Sequence, residues 1–169
     1  MKAWNRRLTV GLFVFYLVAL SWIVLLKMEF SIQSLGRFRG INLIPFAGSA
    51  LANGRIDWTE IGNNILIFIP FGIYLSMLKE AWPVLLKLIA VFCASLALEV
   101  LQYVFAFGAS DITDLIGNTL GGVIGIALYQ VLLLLVRDRG KTNRVFQTAA
   151  LTGTVLATAF LALLLAMNP

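Results

Sequence analysis

One glutamate, Glu99, stands inside a long apolar run, and Gln102 follows three residues later. That spacing places both on one helical face. Further on come Asp111, Asp114 and Asn118, three and four apart, which again share a face. Carboxylates gathered in this way can transfer protons as general acid or base, or hold a divalent cation through oxygen ligands. Glu99, Asp111 and Asp114 are therefore the candidates both for catalysis and for metal binding. The sequence has no histidine and a single cysteine, Cys93. A Ser-His-Asp triad, a His-ligated metal, phosphohistidine chemistry, a zinc cluster and an internal disulfide are all excluded.

The elements that must position these groups follow from composition. Of the 169 residues, 60% are hydrophobic and only 12% charged, and mean hydropathy is +0.93. A soluble domain carries about 25% charged residues, so a soluble enzyme is excluded, and so is a disordered chain. About 20 apolar residues cross a bilayer core. Five such runs are present, at about 8–26, 61–78, 84–107, 112–136 and 145–167. The first follows Lys2, Arg6 and Arg7 and lacks a small-residue cleavage site, so it reads as a membrane anchor rather than a signal peptide. Pro70 predicts a bend in the second. Residues 27–60 read as an outer loop, with the proline-broken Asn42-Leu43-Ile44-Pro45-Phe46 touching the membrane surface. Gly108 to Asp111 reads as a short turn, and Arg137 to Arg144 as a basic loop. The expected architecture is an all-α polytopic membrane protein, a single domain over 1–169.

Basic residues orient the spans. Lys2, Arg6, Arg7, Lys79, Arg137, Arg139, Lys141 and Arg144 fall on one side, and Lys87 can snorkel to it. Lys27, Arg37, Arg39 and Arg55 fall on the other. The bacterial cell membrane is the expected location, with the amino terminus cytoplasmic and the carboxyl terminus extracytoplasmic. The formal charge of +5 then records basic cytoplasmic ends, not a nucleic-acid partner. On this topology Glu99 lies about 12 Å, and Asn118 about 10 Å, below the outer surface. Spans three and four are antiparallel neighbours, so Glu99 and Asn118 are expected to face each other. Asn63, Asn64, Gln102, Asp111 and Asp114 gather at the same leaflet, near Arg37, Arg39 and Asn42. A charged carboxylate at a helix centre costs at least about 2.5–3.5 kcal/mol. Glu99 therefore needs a partner, a proton or water, and a polar pocket open to the outer leaflet supplies one setting for it.

Gly117-x3-Gly121-x3-Gly125, with Gly122 beside it, marks a close-packing face on span four. Ala149-x3-Gly153-x3-Ala157 on span five is a matching small face, and intramolecular packing is the expected use of both. A homo-oligomer is the other use of such a face.

With those motifs in place, the sequence resembles the VanZ-like family of bacterial membrane proteins. The resemblance rests on Asn42-Leu43-Ile44-Pro45-Phe46, on Asn64-Ile65-Leu66-Ile67-Phe68-Ile69-Pro70-Phe71-Gly72, on Leu98-Glu99-Val100-Leu101-Gln102, and on Asp111-Ile112-Thr113-Asp114-Leu115-Ile116-Gly117-Asn118-Thr119-Leu120-Gly121-Gly122. Thr113 departs from the acidic residue many members carry. Gly108, Ala109 and Ser110 occupy the stretch where they carry an arginine, so an arginine-dependent step would have to use Arg37 or Arg39. The resemblance implies low-level glycopeptide resistance, to teicoplanin more than vancomycin.

Two readings stay open. In the first, Arg37, Arg39, Asn42, Asn64, Glu99, Gln102, Asp111, Asp114 and Asn118 line a site that binds a membrane lipid, a lipid-linked cell-wall precursor or the lipoglycopeptide itself. In the second, the chain is a small intramembrane enzyme acting on a lipid-linked phosphate or glycan. Glu99 would then be base or metal ligand, and Asp111 and Asp114 ligands or acid/base groups, around a divalent cation. Five spans without an internal repeat argue against a transporter.

Overall fold

The computed structural model of the chain describes residues 4–26, 38–46, 51–52, 55–56 and 58–167. Among the described residues, five helices are long and apolar enough to cross a membrane: α1 (Arg6–Leu26), α2 (Trp58–Leu78), α3 (Val84–Phe105), α4 (Ile112–Val136) and α5 (Arg139–Met167). Between them lie β1 (Phe38–Asn42), β2 (Leu51–Ala52), β3 (Arg55–Ile56) and β4 (Phe107–Asp111). The chain is an all-α polytopic membrane protein with two minor strand pairs.

Local chemistry explains the helix boundaries. The Asn5 side chain accepts from the backbone N–H of Arg7 and Leu8 at 3.0 and 3.3 Å and starts α1. Asp138 does the same for α5, accepting from Lys141 N–H at 2.9 Å. With that cap, α5 begins at Arg139, not near 145. The expected basic loop is instead the first two turns of a helix. Only Arg137, in the left-handed region at φ 54°, and Asp138 separate α4 from α5. At the other end of the bundle α3 stops at Phe105, because Ala106 turns left-handed at φ 56° and returns its N–H to the α3 carbonyls. The expected turn at 108–111 is therefore part of a strand, β4, which pairs in parallel with β1.

The bundle closes around α2 and α4, which run parallel and nearly touch. A Cβ on Gly121 would lie 2.1 Å from the Ile65 carbonyl oxygen, and one on Gly125 2.1 Å from that of Ile69. Gly72 answers from α2, 2.1 Å from the Gly122 carbonyl oxygen. Glycine is required at these positions because any side chain would separate the backbones. The glycine face of α4 thus packs within the chain, but against α2. The expected counterpart on α5 is not packed: a Cβ on Gly153 meets nothing within 4 Å. Gly122 turns toward α3, where a Cβ would meet Val91 Cγ1 at 2.3 Å.

Leu20, Phe68, Phe71, Leu75, Val91, Leu98 and Ile126 form the buried apolar core. Large apolar side chains on the helix backs, such as Val18, Leu134, Leu135 and Leu156, are exposed, as a surface solvated by lipid requires. Pro70 removes the N–H that would meet the Leu66 carbonyl. Beside that break, the Tyr16 hydroxyl donates to the Ile67 carbonyl at 2.6 Å and ties α1 to α2.

Candidate functional site

The polar groups meet where α1 ends, α2 begins and β1 pairs with β4. Residues Phe38–Asn42 lie in register with Phe107–Asp111, so Asn42 sits opposite Asp111. Asp111 also caps α4. Its Oδ1 accepts from Thr113 N–H at 2.8 Å, and its Oδ2 accepts from the Asn42 amide at 3.0 Å. Asn42 Oδ1 accepts from Ile44 N–H at 3.2 Å, and Phe46 N–H donates to Thr113 Oγ1 at 3.0 Å. The Asn42–Phe46 segment is thereby fastened to the first turn of α4. Its Leu43, Ile44 and Phe46 side chains point out, exposed.

Glu99 is 3% exposed. Its Oε2 accepts from Asp111 N–H at 2.9 Å and lies 3.1 Å from the Ser110 hydroxyl, which also reaches the Glu99 carbonyl at 3.0 Å. Its other oxygen, Oε1, is buried without a hydrogen-bond partner. Gln102 donates to the Val24 carbonyl of α1 at 2.8 Å, while its Oε1 is buried and unpartnered. Asp114 Oδ1 accepts from the Asn64 amide at 2.6 Å and joins α2 to α4.

Asn118 departs from expectation. It does not face Glu99. Because Gly122 meets Val91 across the antiparallel α3–α4 contact, one turn along each helix brings Asn118 level with Ser95. Both are buried, and Asn118 Oδ1 and Ser95 Oγ lack partners. Glu99 lies a turn beyond, at the level of Ser110 and Asp111.

The structure therefore brings Asn42, Asn64, Glu99, Gln102, Asp111 and Asp114 to one end of the bundle, with Asn118 deeper between α3 and α4. Asn63 is exposed on the outside of α2. Arg39 lies in β1 opposite Gly108, and Arg37 falls outside the described residues. Ser110 and Thr113 take part although their types carried no signal beyond adjacency to Asp111. Among the described residues, no group of three or more His, Cys, Asp or Glu side chains is arranged to hold a metal ion. Both Asp111 oxygens and one Asp114 oxygen are engaged by protein donors.

A second polar cluster, which sequence reasoning missed, holds the opposite end together. Glu80 pairs with Arg139 at 3.3 Å and accepts from Asn143 at 3.2 Å, and Tyr129 donates to Asn143 at 2.7 Å. Gln147 donates to the Asn5 carbonyl at 2.7 Å and to Thr9 Oγ1 at 2.8 Å. Lys87, expected to snorkel, is 3% exposed and has Arg139 and Glu80 as charged neighbours. The side-chain ends of Glu80 and Asn143 were not foreseeable as partners without the early start of α5.

The family model VanZ/LLP1 matches residues 13–136, from α1 through α4. Protein VanZ of Enterococcus faecium is 39% identical over 127 residues, which cover 74% of this chain and 75% of that protein. No solved structure matches.

Proposed function

The chain belongs to the VanZ/LLP1 family, and from that membership we propose that this multi-pass membrane protein contributes to low-level glycopeptide resistance, to teicoplanin more than vancomycin. The site is the polar end of α3 and α4. It faces the outer leaflet of a bacterial cell membrane, with the basic end of the bundle, the amino terminus included, in the cytoplasm and the carboxyl terminus outside. The site binds a lipid, a lipid-linked cell-wall precursor or the lipid-bearing antibiotic, and occupancy lowers the antibiotic's access to its target.

One observation carries this reading: Glu99 Oε1 is buried and unpartnered beside a held Oε2. Unpaired buried acceptors are rare and costly, and intramembrane ionisable groups are functional by default. The exposed apolar tip at Leu43, Ile44 and Phe46 supports a site at a lipid surface. Binding fits better than catalysis because the Asp111 oxygens are committed to the α4 cap and to Asn42.

The test is teicoplanin and vancomycin susceptibility of a sensitive Gram-positive host. It expresses wild type, Glu99→Gln or Asp114→Asn at matched membrane levels. Protection by wild type that both substitutions abolish supports the site. Equal protection by all three makes the site structural and removes the proposal.

A further inference from the structure

At the basic end the start of α5 presents an unused set of donors. Lys141 is exposed and Arg144 half-buried, one turn apart on one face. Both line a recess of about 750 Å³ that continues along α5 past Val145, Thr148 and Ala149 to Thr152. Arg144 Nε is buried and has no hydrogen-bond partner. The nearby carboxylates are occupied: Glu80 pairs with Arg139, and Asp138 caps α5. Among the described residues neither Lys141 nor Arg144 has an ion pair.

The recess adjoins a second space. A groove of about 390 Å³ runs between α1, α2 and α5, lined by Pro70, Ile73, Tyr74, Ala149, Gly153 and Ala157 among others. Ala149 borders both. The groove is apolar, and Gly153 leaves it open, since a Cβ there would touch nothing. On α4, by contrast, the same small-residue pattern is filled by the neighbouring helix. Gly153 lies nine residues, or about 14 Å, along the helix from Arg144, close to the depth of one leaflet of a bilayer core about 30 Å thick.

We propose that α5 carries a binding site for an anionic phospholipid, whose phosphate sits between Lys141 and Arg144 and one of whose acyl chains lies in the groove beside Ala149, Gly153 and Ala157. Charge complementarity selects this occupant. The open donors are cationic, and the apolar groove meets the recess they line at Ala149. A planar guanidinium and a neighbouring ammonium suit a phosphodiester. The site is separate from the one around Glu99. Its cationic residues lie on the helix beyond the residues matched by the family.

The experiment measures lipid retained by purified protein, by native mass spectrometry after release from nanodiscs of equal phosphatidylglycerol and phosphatidylcholine. Wild type is expected to retain the anionic lipid preferentially. Each basic residue at a membrane surface contributes about fivefold in affinity for anionic lipid. K141Q and R144Q singly should each lower the preference by about that factor, and K141Q/R144Q by more than tenfold. K141R/R144K should keep it. Gly153→Leu, which fills the groove, should lower retention of both lipids alike. The single variants keep the test decisive where the double variant fails to fold. Equal retention of the two lipids by wild type overturns the proposal, as does an undiminished preference in K141Q and R144Q. So does a wild-type dimer that Gly153→Leu disrupts without changing bound lipid, which would assign the groove to a second copy of the chain.

Discussion

Gly121→Ala offers the most direct check on how this bundle is held. The added methyl carbon would lie 2.1 Å from the Ile65 carbonyl oxygen, 2.9 Å from its carbon and 3.0 Å from Phe68 Cβ. Two of these neighbours are backbone atoms, which no rotamer change moves aside. Restoring ordinary contact requires α2 and α4 to part locally by about 1 Å. That loosens the adjoining near-contacts of Gly125 with Ile69 and of Gly72 with Gly122. Overpacking of this kind costs typically about 1–3 kcal/mol, and the lost interhelical dispersion adds to it. Gly153→Ala is the matched control. It adds the same methyl to a helix, but into open space, and replacing a mid-helix glycine by alanine favours the helix by about 0.5–1 kcal/mol. That helix gain is common to both variants, so the pair should differ by the overpacking cost, about 1–3 kcal/mol. Equilibrium unfolding of each variant in bicelles, followed by helical circular dichroism, measures that difference. If Gly121→Ala is as stable as Gly153→Ala, close α2–α4 packing is not what the glycines serve, and the reasoning fails.

Glu99→Ala should destabilise by about 1–3 kcal/mol, because it strands the buried Asp111 N–H. Glu99→Gln keeps an acceptor and should stay within about 1 kcal/mol of wild type in the same unfolding assay. Asp111→Ala removes the α4 cap and the Asn42 latch, and a lost cap costs about 1 kcal/mol. Hydrogen exchange should then rise over residues 42–46; Asp111→Asn, which keeps the cap oxygen but sets an amide NH2 against the Asn42 donor, should raise it by less. Arg139→Ala breaks an ion pair whose side chains are 60% and 35% exposed. It should shift stability by less than about 1 kcal/mol, and a larger loss in the unfolding assay would mean that the Glu80 cluster is a structural keystone.

Much of this was legible along the chain. The five spans follow from hydropathy, and the low charge content excludes a soluble fold. The antiparallel α3–α4 pair and the gathering of Asn42, Asn64, Glu99, Gln102, Asp111 and Asp114 at one end follow from helical spacing and a short connection. These properties are local. The transfer of each side chain from water to lipid depends on its own chemistry and its immediate neighbours, so it can be summed along the sequence. Pairing is a different quantity. Asn42 meets Asp111 only because two strands from distant parts of the chain satisfy each other's backbone groups. The α4 glycines found α2 rather than α5 because close packing depends on the register of both surfaces. Glu99 sits against Ser110 and Asp111 rather than Asn118 because Ala106 ends α3 early and β4 returns toward it. Buried hydrogen-bonding groups must each find a partner in three dimensions. In this protein the residue types and the helices that carry them were set by the sequence, while their partners were set by how the helices and strands came together.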